Sequence, residues 1–228
     1  MILSPRAMTR VDHAAIQSGI DGYNLMVIAG AAIAACALEH YPATDEVLVL
    51  CGPGNNGGDG YVAARILHSS GMAVRLYSSI DPDALAGDAA RARSDWHGPI
   101  LDLEDLEPNR GQLIIDALFG AGLDRPVVGS VAKAIGKVRE AESPVIAADL
   151  PSGVSGRTGA VEGVAMKAAH SITFAAPKPG HFLLPGLELC GKVTVADIGI
   201  PHRLIEAHAE ALWVNDPALW AHDLPAIG

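Results

Sequence analysis

Apolar and polar positions change their spacing repeatedly along the chain, and the changes mark out elements. Residues 25–38 form an almost unbroken apolar run, Val47–Leu50 a short apolar block, and Tyr61–Ser70 an amphipathic stretch stopped by Gly71. Short apolar blocks at Val74–Tyr77, Leu113–Asp116, Pro144–Ala148, Ser171–Ala175 and Lys192–Ala196 predict strands. Helices are predicted at Leu85–Trp96, with Asp88, Arg91 and Asp95 on its polar face, and at Val131–Glu140. Upstream, Thr9 or Asp12 is placed to cap a helix ending near Ser18 and Gly19, and a second helix spans about Asn24–His40 before Pro42. After Pro201 the pattern predicts a peripheral helix and then a linker.

Strands alternating with helices predict an α/β fold with a mostly parallel sheet, and right-handed crossovers place helices on both faces. Composition supports this: of 228 residues, 50% are apolar, 18% charged and only 4% aromatic. A large core is affordable and disorder is not expected. The apolar run Leu25–Leu38 falls short of the roughly 18 residues of a membrane span, and its Ala and Gly content suits close helix packing, so no membrane partner is expected. No basic region followed by an apolar one opens the chain. Cys36, Cys51 and Cys190 are an odd number without metal spacing, read as reduced thiols in a cytoplasmic protein. A net charge of −10 argues against bulk nucleic-acid binding, which depends on basic side chains, but leaves a nucleotide held by backbone amides open.

The chemistry gathers where strands end. Val47–Leu50 runs into Gly52-Pro-Gly-Asn-Asn-Gly-Gly-Asp-Gly60, the layout of a strand, a tight turn and a helix N-terminus that favours an anion. Leu113–Asp116 leads into Ala-Leu-Phe-Gly-Ala-Gly-Leu-Asp-Arg-Pro126, and Pro144–Ala148 into Asp149-Leu-Pro-Ser-Gly153. In a parallel sheet these loops share one edge, so Asn55, Asn56, Asp59, Asp116, Asp149 and Ser152 are predicted to line one crevice. Ordinary NAD redox binding fits poorly. The glycines match G-x-G-x-x-G, yet the second strand ends Leu76-Tyr77-Ser78-Ser79 without a ribose-binding acid. No lysine follows the glycines as in a phosphate-binding Walker loop, and Ser152 is not in a G-x-S-x-G elbow. Arg125 is read as either a phosphate contact or a surface arginine, and Lys178 as either crevice-facing or surface.

Read together, GPGNNGGDGYVAARIL (52–67), DALFGAGLDRPV (116–127), VIAADLPSGVSGRTG (145–159) and SITFAAPKPGHFLLPG with GKVTVADIGIP (171–201) resemble the NAD(P)H-hydrate epimerase family, the N-terminal domain of bifunctional nicotinamide-nucleotide repair enzymes. The likeness runs from about Asp12 to Pro201. It implies a three-layer α/β/α Rossmann-like domain, an isomerase that interconverts R and S forms of NADH or NADPH hydrated at nicotinamide C6, a homodimer, and a linked or separate ADP/ATP-dependent dehydratase as partner. It places substrate on Asn55, Asn56, Gly57, Gly58 and Asp59, on Gly120, Ala121, Gly122, Leu123, Asp124, Arg125 and Pro126, and on Asp149. It places a potassium ion on Asn56, Asp116 and Ser152, oxygen donors that suit a hard cation. The resemblance further implies an epimerase domain at residues 1–211 and a tail or linker at 212–228. For acid–base chemistry Asp149 is the first choice and Asp59 the second. One departure stands out: family members carry Glu or Asn where this chain has Val27. The alternatives are a non-catalytic dimerisation or nucleotide-binding scaffold of the same fold, and an acyl- or phosphoryl-transfer enzyme, for which a nucleophile–base pair is lacking.

Overall fold

The computed structural model describes residues 1–210, 212–217 and 220–223. Residues 218, 219 and 224–228 of the expected tail, and residue 211 at its boundary, lie outside the described residues. Seven strands form one sheet: β1 (Glu46–Cys51), β2 (Val74–Ser78), β3 (Ile100–Asp102), β4 (Gln112–Ala117), β5 (Val145–Ala148), β6 (His170–Phe174) and β7 (Lys192–Ala196). Their order is β3-β2-β1-β4-β5-β6-β7, and every pairing is parallel. The chain therefore reverses direction across the sheet between β1 and β4, where a crevice opens beyond the strand ends.

Alternation along each strand builds two cores. Val47, Val49, Leu113, Ile115, Ile146 and Ile172 face one side, with helices α2 (Gly22–His40), α3 (Asn55–Ser69) and α4 (Gly87–Ser94). Leu48, Leu50, Ile114, Val145 and Ala147 face the other, with α5 (Gly129–Ala141). The period of two thus yields three layers, as expected. At 19 residues α2 has the length and apolarity of a membrane span, but Leu25, Met26, Ala29, Ile33, Ala34 and Ala37 are buried in the protein. Val27 is half-buried and packs against the first core, which gives its apolar side chain a place.

Several boundaries differ from the sequence expectation. Helix α1 (Pro5–Gln17) begins earlier than Thr9 or Asp12, because the Ser4 hydroxyl accepts from the Ala7 N–H at 3.2 Å and Pro5 takes the first turn, where no N–H is needed. Helix α3 begins at Asn55 and not at Tyr61, so Gly57, Gly58 and Gly60 of the predicted turn lie inside its first two turns. The three-residue edge strand β3 and a short helix α6 (Gly186–Leu189) went unforeseen. The peripheral helix after Pro201 is present as α7 (His202–His208). It packs with α1 in a third apolar cluster around Leu3, Val11, Ile198 and Ile205, beside the crevice. In the expected tail, the Leu212 carbonyl accepts from the Ile2 N–H at 2.9 Å.

Candidate active site

Beyond the carboxyl ends of β1, β4 and β5 lies a crevice of about 920 Å³, large for a small-molecule site. One wall is Pro53–Asn56 with Asp59; a second is Gly120–Arg125; Asp149 and Lys178 form the floor, and Asp12 of α1 faces them. The sequence-predicted Asn55, Asn56, Asp59, Gly120, Ala121, Gly122, Leu123, Asp124, Arg125 and Asp149 all line it. Gly57, Gly58, Pro126, Asp116 and Ser152 are not among its lining. Gly57 packs against the Gly52 carbonyl and Gly58 against Met26, so these two let α3 approach the sheet and α2. Pro126 is exposed, while Asp116 and Ser152 are buried behind the loop that follows β4.

The N-terminus of α3 opens into this space. Gly54 at its cap has no side chain, no side chain caps the helix, and Pro53 to Asn56 border the crevice. Free N–H groups and the positive end of a 15-residue helix form a seat for an anion such as a pyrophosphate. Arg125, exposed on the opposite wall, lies on the crevice.

Asp149 is the centre of the floor. It leaves β5 at φ +64°, left-handed backbone that few residues other than glycine adopt, at a cost of about 1–3 kcal/mol. The neighbourhood holds it there. Its N–H donates to the Ile172 carbonyl at 2.8 Å. Its Oδ1 accepts from Thr173 Oγ1 at 2.7 Å and Lys178 Nζ at 2.8 Å, and its Oδ2 from the Ala121 N–H at 2.9 Å. Lys178, 2% exposed, also donates to Thr173 Oγ1 at 2.9 Å. The lysine left open by sequence is thus the buried counter-ion of Asp149. His181 braces both: its Nδ1 accepts from the Lys178 N–H at 3.0 Å, and its Nε2 donates to the Asp149 carbonyl at 2.9 Å.

These contacts set protonation. Burial alone would raise the Asp149 carboxyl, but the Lys178 ammonium, its hydrogen bond and that of Thr173 outweigh burial and hold Asp149 below its ordinary value. Asp59 goes the other way: burial, then the charges of Asp149 and Asp12, push its carboxyl well above the usual range. Asp12 rises to about 6, by burial opposed by Lys178. Two neighbouring carboxyl groups are thus displaced in opposite directions, Asp149 down and Asp59 up. That separation supplies a base and an acid within one crevice.

Removing the lysine tests the first half. Lys178→Met leaves burial as the dominant influence on Asp149, so its carboxyl rises. The acid limb of the pH–rate profile is expected to move to higher pH, and stability in urea to fall by about 3–5 kcal/mol as a buried charge loses its partner. The linkage has the same sign. The stability that Asp149 contributes is present above its unfolded value and lost as pH falls through its depressed folded value; the variant loses that dependence.

The buried pair behind the loop is different in character. Asp116, fully buried, accepts from Ser152 Oγ at 2.6 Å and the Ser152 N–H at 2.7 Å, and more weakly from the Leu118 N–H at 3.3 Å. Among the described residues it forms no ion pair, and burial raises it to about 6 despite those hydrogen bonds. Ser152 Oγ in turn accepts from the Phe119 N–H at 2.9 Å. Asn56 reaches the same loop at Gly120, and its buried Nδ2 has no hydrogen-bond partner. A buried carboxylate without a countercharge, a hydroxyl and an amide whose orientation is unsettled by any bond make a donor set that fits a hard cation.

Sequence reasoning missed the parts played by Asp12, Thr173 and His181. Asp12 is read from the sequence only as a candidate cap; Thr173 and His181 lie in the stretch 171–201 that carries the resemblance, but no role follows for either from the sequence.

Comparison with known proteins fits this geometry. Residues 22–180 match the family model described as YjeF-related protein N-terminus. The chain is 40% identical over 190 residues to the NAD(P)H-hydrate epimerase of Limosilactobacillus fermentum, covering 79% of this chain and 88% of that protein. It is 39% identical over 215 residues to the bifunctional NAD(P)H-hydrate repair enzyme Nnr of Thermofilum pendens, covering 90% of this chain and 41% of that protein. It therefore spans about two fifths of the length of that bifunctional relative. The crystal structure of yeast ynu0 superposes with a TM-score of 0.78 at 20% identity, covering 95% of this chain and 96% of that one, a likeness of fold. The chain belongs to the family of YjeF-related protein N-termini, which is also the family of the NAD(P)H-hydrate epimerases.

Proposed function

We propose that the crevice epimerises NADH and NADPH hydrated at nicotinamide C6. The observation that carries this reading is the pair of carboxyl groups lining one crevice, Asp149 hydrogen-bonded to Lys178 and held below its ordinary value, and Asp59 pushed well above it by burial and the charge of Asp149. The hydrate is a hemiaminal, so the ring nitrogen can expel the C6 hydroxyl. Asp59 gives its proton to the leaving oxygen, which departs as water, and the ring is left as a cation beside the Asp149 carboxylate. Water then adds to C6 from either face. Asp59, now ionised, takes the proton released directly, or Asp149 takes it and passes it through water to Asp59, and both groups are then back in their starting states. The α3 N-terminus seats the pyrophosphate, and Asn55, Asn56 and Gly120–Arg125 hold the dinucleotide across the crevice.

Pure R hydrate incubated with the protein is expected to reach a mixture of R and S forms, resolved by chromatography, far faster than in buffer. Conversion at the buffer rate would favour a binding scaffold of the same fold.

Potassium is proposed on Asn56, Asp116 and Ser152. When bound it would supply a fixed positive charge beneath the loop after β4 and offset the buried Asp116 anion. Replacing choline chloride by potassium chloride at equal ionic strength is expected to raise Tm, by about 2–4 °C per kcal/mol of binding for a chain of this size. Asp116→Ala should abolish the difference, and an equal Tm in both salts would remove potassium from the account.

The same reading takes the chain as a cytoplasmic homodimer working with a dehydratase. The exposed apolar side chains of Phe182, Leu183, Leu184 and Leu187 support a subunit contact, and three buried free cysteines suit a reducing compartment. The division into a domain at 1–211 and a linker at 212–228 is proposed on the same resemblance.

A further inference from the structure

At the opposite end of the sheet from the crevice, three potential ligands meet. Cys36 and His40 lie one turn apart on the last turns of α2, on one face of the helix, and His170 opens β6. The Cys36 Sγ and a ring nitrogen of each histidine all fall within 4.8 Å of one another. The imidazoles of His40 and His170 stack with centroids 4.5 Å apart, and the Tyr41 ring stands edge-on to His170 at 6.0 Å. Nothing in the epimerase reading uses these side chains.

We propose that Cys36, His40 and His170 form a zinc site, with three protein ligands and a fourth position open to water. The donor types are those zinc prefers, and a tetrahedral zinc holds its ligands about 3.3–3.6 Å apart. The three ligand atoms here lie within 4.8 Å of one another, Cys36 buried, His170 half-buried and His40 exposed. Burial, with Glu39 adding to it, pushes the Cys36 thiol up to about 11. Zinc binds the thiolate, so the Cys36 proton is released to solvent on binding. Glu39 lies near enough to favour the cation and Lys192 near enough to oppose it.

The test titrates the metal-free protein with cobalt(II) as a spectroscopic substitute, then displaces it with zinc. Saturation at one equivalent is expected, with sulfur-to-cobalt charge transfer in the near ultraviolet that zinc removes. Cys36→Ser should lose the charge-transfer band. His40→Ala, at an exposed position, should weaken binding by about tenfold or more. Epimerase activity, measured at the other end of the sheet, should be unchanged in both variants and reports that they are folded. Absence of saturable binding to the wild-type protein, or binding in folded His40→Ala equal to wild type, would overturn the proposal.

Discussion

Asp149→Asn is expected to lower kcat for hydrate epimerisation by about 100- to 10,000-fold, the range of a lost acid–base group. KM should change little, because the proposed seat of the dinucleotide is the α3 N-terminus and the Gly120–Arg125 loop. The amide oxygen can replace only one of the two carboxylate oxygens that accept from Thr173 and from the Ala121 N–H, its nitrogen being a donor, and it carries no charge to face the ring cation. It also leaves Lys178 buried beside a neutral group, where the native pair sits at 2.8 Å. The single variant is therefore expected to lose stability as well as activity. Asp149→Asn with Lys178→Met removes both charges together and should recover most of that stability without recovering kcat. Steady-state kinetics with urea unfolding on both variants separates the two effects. Near wild-type kcat in the folded double variant would move the chemistry away from Asp149.

Gly52→Ala is expected to destabilise the fold by more than about 3 kcal/mol, beyond the usual penalty for overpacking. A Cβ at Gly52 would sit inside the Leu118 carbonyl, and a Cβ at Gly57 inside the Gly52 carbonyl. These contacts are between backbones, so no rotamer change relieves them. Nor can the strands part: Cys51 pairs with Ala117, and the Gly52 N–H donates to the Ala117 carbonyl at 2.9 Å. Gly54→Ala is the comparison, since nothing lies within 4 Å of its added Cβ. It should cost less than about 1 kcal/mol. Urea midpoints for the two variants measure the contrast directly.

These close approaches also explain what the sequence did and did not disclose. The strands were legible because their side chains are apolar on both faces, and the carboxylates Asp116 and Asp149 stood out at strand ends. The start of α3 was not. Gly57, Gly58 and Gly60 weaken helix propensity, and only packing against Gly52, Met26 and Ala117 makes a helix of that stretch. Strand β3 is too short to show a period and earns its place by pairing with β2 alone. For Lys178, its segment Ala-Pro-Lys-Pro-Gly has no feature that distinguishes a buried ion pair from a surface charge. The pairing depends on a tertiary contact between β5 and the chain after β6. Asp12 looked like a cap because capping is local, whereas its approach to Asp59 depends on how α1 lies across the crevice. The opposed shifts of Asp59 and Asp149 follow from burial and charge, which composition does not record.

The central claim is that the crevice removes the C6 hydroxyl and lets water return. It is tested most directly by incubating the R hydrate of NADH in heavy-oxygen water and following epimer composition and C6 isotope content together by mass spectrometry. The account predicts that wild-type protein produces S hydrate carrying solvent oxygen at C6, while Asp149→Asn with Lys178→Met does so at close to the buffer rate. Conversion of R to S with the original oxygen retained would contradict it.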